Sequence, residues 1–290
     1  MRDFKDKVAV VTGGASGIGL AMAQRFAREG MRVVIADIET EALAAAEREV
    51  RSMGSTVLAV RTDVSKSQDV EALAASALNA FGSVHIVCNN AGVAGTSGPL
   101  WERSIGDWQW VMGVNVWGVI HGIHTFVPIM LKQGEDAHVV NTASVAGLIS
   151  RPFGGIYHAT KHAIVTISEV LHAELALAGA PIGVSVLCPG FVKTRIKDSS
   201  RNRPAELTEG IVSPAAQAIR ERVSSMVDAG ISPDSVADKV LDAVREEKLY
   251  ILTHSEFNEP IRQRVEGILE GRNPVLELPP PNSVSISRSA

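Results

Sequence analysis

The stretch from Lys7 to Glu29 narrows the possible folds more than any other part of the chain. Lys7 to Val11 is a short apolar run of β character. Thr12-Gly13-Gly14-Ala15-Ser16-Gly17-Ile18-Gly19 follows at once, and Leu20 to Glu29 then carries helical spacing. A strand, a glycine turn and a helix in that order make an anion site. The glycines let the backbone approach a pyrophosphate, and the helix N-terminus offers free N–H groups and the positive end of its dipole. The glycine spacing, three intervening residues and then one, differs from the commoner G-x-G-x-x-G pattern. Such a turn can also bind nothing, but its place between strand and helix favours a nucleotide phosphate.

Strands and helices continue to alternate. Arg32 to Ala36 reads as a second strand ending at Asp37, twenty residues after Gly17. An acid there accepts hydrogen bonds from ribose hydroxyls and repels a 2′-phosphate, which favours NAD over NADP. Neither Ser16 nor the next residue, Ile38, supplies the cation a 2′-phosphate would want. Asp37 can equally cap a helix beginning near Glu39. Thr56 to Val60 is a third strand, ending near Asp63-Val64, and Lys66 to Phe81 has helical spacing. Val84 to Cys88 runs into Asn89-Asn90-Ala91-Gly92, a polar turn at a strand's carboxyl end, where open α/β sheets bind ligands. Ile105 to Gln133 reads as one helix. It carries Asn115 in an apolar run, where a buried amide must find partners, and Pro128, which would kink it or begin a new turn.

A fifth strand, Ala137 to Thr142, leads to Ala143-Ser144. A long helix runs from Tyr157 to Leu177, and a sixth strand, Ile182 to Leu187, ends at Cys188-Pro189-Gly190. Ser232-Pro233 opens another helix, Lys248 to Leu252 is a short last strand, and Ser255 to Leu269 a last helix. This order predicts an α/β fold: a three-layer, Rossmann-type doubly wound sheet of mainly seven parallel strands. Residues 1–270 show no composition break and read as a single domain. Residues 191–230, polar at first and weakly helical over 215–229, follow a strand's carboxyl end and are a candidate substrate lid. Residues 271–290, with Pro279-Pro280-Pro281, read as a C-terminal tail.

Composition sets limits on partners. A hydrophobic share of 46% and a charged share of 21% fit a globular chain with a sizeable core. A net charge of −4 gives no footprint for nucleic acid or an anionic membrane. The apolar run Val8 to Val11 is too short for a signal segment or a membrane span, so the expected location is the cytoplasm. Cys88 and Cys188 each end an apolar strand-like run and read as buried, reduced thiols. His121 and His124 lie three apart, but no acid or cysteine sits at metal spacing, and no metal site is expected.

Tyr157 and Lys161 are four residues apart in a helical segment, so both side chains lie on one face. A free tyrosine is a poor proton acceptor at neutral pH. A lysine cation a few ångströms away favours the phenolate, and a tyrosine so tuned can exchange a proton with an alcohol or a ketone. The motif alone is weak, and the other tyrosine, Tyr250, has His254 at that offset.

Together these residues carry a resemblance. Thr12-Gly13-x-x-x-Gly17-x-Gly19, Asp63, Asn89-Asn90-Ala91-Gly92, Asn115, Ser144, Tyr157-x-x-x-Lys161 and Pro189-Gly190 occur in one order. In that order and spacing the chain resembles the short-chain dehydrogenases/reductases, in the branch with a core of about 250 residues and a Rossmann-type fold. The resemblance covers residues 5 to about 255. It implies an oxidoreductase that interconverts a secondary alcohol and a ketone with NAD. Tyr157 would be the general acid/base, and Lys161 would bind the nicotinamide ribose and lower the tyrosine pKa. Ser144 would hold the substrate oxygen, and Asn115 a water linking Lys161 to solvent. The cofactor set would be Gly13, Ser16, Gly17, Ile18 and Gly19 in the turn, Asp37 and Ile38, and Asp63 and Val64 at the adenine. Asn90, Ala91 and Gly92, Tyr157 and Lys161, then Pro189, Gly190, Val192 and Thr194, complete it, with Thr194 near the carboxamide. The helices from Ile105 and Tyr157 are the family's usual dimer and tetramer contacts, so a homo-oligomer is expected. Ser199-x-x-Asn202-Arg203-Pro204 and Leu249-Tyr250-Ile251-Leu252-Thr253-His254 resemble a bacterial subgroup, some members of which oxidise bulky aryl-substituted alcohols.

Two other functions compete. An NADPH-dependent carbonyl reductase is disfavoured by Asp37. A non-catalytic NAD-binding sensor is disfavoured by the intact Ser144, Tyr157, Lys161 and Asn115 set. Arg151 and Arg203 could bind a substrate carboxylate, although most arginines are solvated. His158 is expected to pack rather than catalyse. Trp101, Trp108, Trp110 and Trp117 cluster around one helix start and read as packing or subunit contact.

Overall fold

Alternate residues of the first strand, β1 (Val8–Thr12), enter two different cores. Ala9 and Val11 pack on one face of the sheet, Val8 and Val10 on the other. A strand buried on both faces belongs to a parallel sheet covered by helices on each side. The computed structural model, which describes residues 1–207 and 209–274, shows that arrangement.

The sheet has seven strands in the order β3-β2-β1-β4-β5-β6-β7. They are β1, β2 (Arg32–Asp37), β3 (Val57–Arg61), β4 (Ile86–Asn89), β5 (Ala137–Thr142), β6 (Ile182–Cys188) and β7 (Tyr250–Leu252). Every neighbouring pair is parallel. Helices α1 (Gly17–Arg28), α2 (Thr40–Ser52) and α8 (Pro233–Glu246) supply Met22, Phe26, Leu43 and Leu241 to one face. Helices α3 (Ser67–Phe81), α5 (Gly118–Gln133) and α6 (Gly155–Leu177) supply Leu73, Phe126, Met130 and Leu171 to the other. The strand order reverses between β1 and β4. That leaves a crevice at the carboxyl ends of those strands, the usual ligand position in such sheets.

The single helix expected over 105–133 is three pieces. Ile105–Met112 (α4) is followed by a π-helical turn, Gly113–Trp117, and then α5. The wider turn accommodates Asn115, whose buried amide bonds to Val93 and Thr160, which a regular helix would not oblige it to do. By length and composition Ile105–Gln133 could cross a membrane, with a mean hydropathy of 1.4. Here it covers the sheet, with Val119, Phe126, Val127 and Met130 buried. Helix α5 runs through Pro128 without ending there. The segment expected as a lid holds a 3-10 helix, Arg195–Asn202, and α7 (Pro214–Asp228). The last helical stretch splits into a 3-10 turn, Ser255–Phe257, and α9 (Asn258–Leu269). Beyond residue 274 the expected tail lies outside the described residues. Cys88 and Cys188 are buried and free.

Candidate active site

The glycine turn fits against the end of β4. Gly13 has φ +63°, and a Cβ there would lie 2.9 Å from the Ala91 Cα. A Cβ on Gly19 would lie 2.0 Å from the Gly13 carbonyl oxygen. The turn therefore tolerates no side chain at either position. Helix α1 begins at Gly17 with no side chain capping its first turn and no acid within it. That leaves its N-terminal N–H groups and dipole for an external anion. A glycine cradle opening on an uncapped helix start fits the pyrophosphate of a dinucleotide.

Asn90 rivets this corner. Its Nδ2 donates to the Thr12 carbonyl (2.9 Å), its backbone N–H to Thr12 Oγ1 (2.9 Å), and its Oδ1 accepts from Thr142 Oγ1 (3.2 Å). The carboxyl ends of β1, β4 and β5 are so fixed relative to one another. Gly92 follows without a side chain, and its vacant Cβ position lies 3.4 Å from Asn115 Oδ1 and 3.7 Å from Lys161 Nζ.

At the end of β2, Asp37 accepts hydrogen bonds from the Ala15 N–H through Oδ2 and the Glu39 N–H through Oδ1, both at 3.1 Å. It does not cap α2. That helix starts at Thr40, after Glu39, which caps nothing with its side chain. Burial pushes the Asp37 carboxyl above its ordinary value, against the pull of those backbone donors. Each oxygen keeps a lone pair for a ribose hydroxyl. Ile38 is half-buried beside it. Asp63 accepts from Ser65 N (3.1 Å) and Ser65 Oγ (2.7 Å) ahead of α3. Val64 is buried under α5, with its carbonyl 2.9 Å from His121 Nδ1.

The structure brings Ser144, Tyr157, Lys161 and Asn115 together. Ser144 follows β5. Its hydroxyl donates to the Pro189 carbonyl (3.2 Å) and accepts from the Ala146 N–H (3.1 Å). Tyr157 and Lys161 share one face of α6, and Lys161 Nζ lies 5.5 Å from the Tyr157 ring centre. Nζ also donates to the Thr142 carbonyl at 2.9 Å. Asn115 Oδ1 accepts from Val93 N (2.8 Å), while Nδ2 donates to Val93 O (3.0 Å) and Thr160 Oγ1 (3.2 Å). Both donors of that amide are thus committed to protein.

The expectation that the lysine lowers the tyrosine pKa is not met by the polypeptide alone. Burial pushes Tyr157 up to about 12, although a hydrogen bond with Ser144 opposes the rise. Burial likewise lowers Lys161 to about 8. Tyr157 is only half-buried, yet its surroundings disfavour the charged form strongly. Desolvation outweighs the attraction between ammonium and phenolate here.

Beyond β6, Pro189 and Gly190 lead into Val192, which is buried, and Thr194. Thr194 lies against the phosphate turn, its Cγ2 3.0 Å from where a Gly17 Cβ would be. Arg203 does not face a substrate site. It pairs with buried Asp107 (Nη1 to Oδ1, 2.7 Å), donates to the Leu207 carbonyl (2.6 Å) and lies over Trp110. Arg151 is exposed. His158 packs as expected, with Nδ1 at 2.9 Å from Ala146 O and 2.8 Å from Ile149 O. Of the tryptophans, Trp110 is buried while Trp101 and Trp117 are exposed. Among the described residues no group of three or more His, Cys, Asp or Glu side chains could hold a metal.

Sequence reading missed Thr142 and Thr160, which hold Lys161 and Asn115, and the Asp107–Arg203 pair. Ser104-x-x-Asp107 was a readable signal for the last, since it forms a capping box at the start of α4. Glu39 was passed over as well.

Known proteins share the fold and much of the sequence. A solved short-chain dehydrogenase/reductase from Burkholderia phymatum, in complex with NAD, is 47% identical and superposes with a TM-score of 0.94, covering 96% of this chain and 100% of that one. A CLA biosynthesis dehydrogenase/reductase of Lactiplantibacillus plantarum is 35% identical over 93% of this chain and 95% of its own. A 1-deoxy-11-beta-hydroxypentalenate dehydrogenase of Streptomyces exfoliatus is 34% identical over 96% of this chain and 93% of its own. The short chain dehydrogenase family matches residues 7–205, and the chain belongs to that family of oxidoreductases.

Proposed function

We propose that this chain is an NAD-dependent oxidoreductase that interconverts a secondary alcohol and a ketone, with Tyr157 as the general acid/base. The observation that carries the reading is the convergence of Ser144, Tyr157 and Lys161 at the carboxyl ends of β5 and β6, beside the glycine turn. A nicotinamide cofactor supplies the hydride donor or acceptor, and in its oxidised form a positive charge. In oxidation the Tyr157 oxygen takes the alcohol proton as the carbon–oxygen bond gains double-bond character. In reduction the phenol returns it. Ser144 orients the substrate oxygen. Lys161 holds the ribose and, when charged, favours the tyrosinate. Asn115 keeps Val93 and Thr160 in place and so fixes the floor under Lys161.

The cofactor is held by the turn residues Gly13 to Gly19, by Asp37 and Ile38 at the adenosine ribose, and by Asp63 and Val64 at the adenine. Asn90 to Gly92 and Pro189 to Thr194 hold the rest. The preference for NAD rests on Asp37, and the NAD in the Burkholderia phymatum relative supports it. A bulky, apolar substrate is supported by the apolar cluster of Val93, Trp110, Val111 and Ile156, the residue before Tyr157, with Leu207 packed on it. The chain acts in the cytoplasm as a homo-oligomer, dimer or tetramer. The exposed Leu131, Val170 and Leu177 on α5 and α6 support the assembly.

The test is an NAD-initiated assay of reduced nicotinamide absorbance across small, steroid, sugar and bulky aryl alcohols, with Tyr157→Phe alongside. Turnover on one class, lost by at least about a hundredfold in the variant with cofactor binding kept, is the expected result. Full turnover in Tyr157→Phe would remove Tyr157 from the chemistry.

A further inference from the structure

One 3-10 helix bridges the glycine turn and the end of β2. At its start Thr194 rests on Gly17. At its end Arg201 and Asn202 converge on a single oxygen, Glu39 Oε1. Arg201 donates through Nε at 3.0 Å and through Nη2 as well, and Asn202 donates through Nδ2 at 3.0 Å. The remaining Arg201 nitrogen, Nη1, donates to the carbonyls of Arg195 (3.2 Å) and Asp198 (2.9 Å) within the same helix. Arg195 itself lines a cleft with Glu39 and the first residues of α2. Two arginines therefore stand over the start of α2, and Glu39 lies between them and Asp37.

Glu39 is also tied to Asp37. Its N–H donates to the Asp37 carboxylate at 3.1 Å, and the two acids repel each other. The hydrogen bond from Arg201 holds the Glu39 carboxyl below its ordinary value, so it carries full charge at neutral pH. A 2′-phosphate on the adenosine ribose would approach Asp37 and meet this arrangement. Without Glu39 it would find two guanidinium groups, which bind phosphate strongly and often bidentately. With Glu39 present, the donors of Arg201 are spent and its charge is neutralised.

We propose that Glu39 is a second cofactor-selectivity residue, which rejects a 2′-phosphate by occupying Arg201 and by adding its own charge to that of Asp37. This rests on Asp37 marking the adenosine ribose site, as in the function proposed above. It assigns to Arg195 and Arg201 a latent capacity to hold the phosphate of NADP. The 3-10 helix is then both a cover and a masked cationic surface.

The experiment titrates the purified full-length chain with NADH and with NADPH by nicotinamide fluorescence and follows the ratio of the two Kd values. Glu39→Gln keeps the shape and an acceptor for Asn202 but removes the charge. The ratio should move toward NADPH by about tenfold. Arg201→Ala, which leaves Glu39 charged and unanswered, should move it the other way. Adding Arg195→Ala and Arg201→Ala to Glu39→Gln should abolish the gain. An unchanged ratio in Glu39→Gln overturns the proposal. So does a shift of the same sign in Glu39→Gln and Arg201→Ala, because that is what simple loosening of the helix would give. Tighter NADPH than NADH binding by the unaltered chain would refute the reading of Asp37 instead, and the changes in ratio would still decide the role of Glu39.

Discussion

The Lys161 ammonium stands 5.5 Å from the centre of the Tyr157 ring, and its Nζ donates a hydrogen bond to the Thr142 carbonyl. Both groups are held where charge is costly: burial raises Tyr157 to about 12 and lowers Lys161 to about 8. The chain has only two tyrosines, and the second, Tyr250, is also raised to about 12 by its hydrogen bond to Glu169. The cofactor-free protein should therefore show almost no tyrosinate absorbance near 295 nm until the pH passes about 11, above the ordinary tyrosine value. NAD should move one titration downward, because a positive charge favours the phenolate. That step should vanish in Tyr157→Phe and persist in Tyr250→Phe. A titration near pH 7 without cofactor would show that Lys161 alone suffices.

Lys161 is costly to the fold. A lysine whose pKa falls from about 10.5 to about 8 on folding destabilises the native state wherever it is charged. The sign follows from proton counts. Between about pH 8 and 10.5 the unfolded chain binds more protons at this group, so stability rises with pH across that window. Below it, the full cost remains. Lys161→Met should therefore be inactive yet more stable at pH 7, by on the order of 1–2 kcal/mol after loss of the bond to Thr142. Denaturant melts at pH 7 and pH 10 give the check: the advantage should shrink at the higher pH. A variant less stable than the wild type at pH 7 would mean that Lys161 supports the fold.

Asp107 holds both ends of the 203–210 segment. It accepts from Arg203 Nη1 at 2.7 Å and from the Gly210 N–H at 3.1 Å, while also capping α4 through Ser104. Burial alone would push its carboxyl up, but Arg203 and the Ser104 amide hold it below the ordinary value. Its contribution is present at neutral pH and is lost as pH falls through the carboxylate range. The Asp107 side chain is 0% exposed and that of Arg203 9%. Arg203→Met strands a buried charge and should cost about 3–5 kcal/mol by chemical denaturation. Adding Asp107→Asn should recover part of that loss. Additive losses in the double variant would show that the two residues act separately.

The sheet was legible because its strands alternate with amphipathic helices and are buried on both faces, as Val8 to Val11 are. The candidate site was legible as a cluster because Gly13, Asn90, Ser144 and Tyr157 each end or follow a strand or open a helix at recognisable spacing. Asn115 announced itself as a polar residue in an apolar run, although its π-helical setting did not. The ion pairs of Glu39 and Asp107 were hidden for a physical reason. Each of these acids pairs with an arginine, 162 and 96 residues away, in a segment of weak periodicity, where charge pairing and not spacing sets the structure. The expected pKa of Tyr157 failed similarly, since burial, which decides it, is not written in the Tyr-x-x-x-Lys spacing.

His254 fixes the loop that carries Pro189. The Gly190 N–H donates to His254 Nδ1 at 3.1 Å, and Nε2 lies 3.1 Å from the Phe191 carbonyl. An amide N–H can only donate and a carbonyl can only accept, so Nδ1 accepts from Gly190 and Nε2 donates to Phe191. Pro189, one residue earlier, accepts from the Ser144 hydroxyl and from the Val145 N–H. His254 thereby positions Ser144 through the Pro189–Gly190 peptide without touching a reacting atom. His254→Ala, at a position 8% exposed, should cost about 1–3 kcal/mol of stability through the lost bonds to Gly190 and Phe191. It should also lower kcat by more than the stability loss explains in a fully folded sample. The comparison that checks this is kcat and cofactor Kd measured well below the melting temperature. A variant that melts earlier but turns over at the wild-type rate would confine His254 to the fold. A fall in kcat with NADH affinity kept would trace the effect to Ser144 and the substrate oxygen.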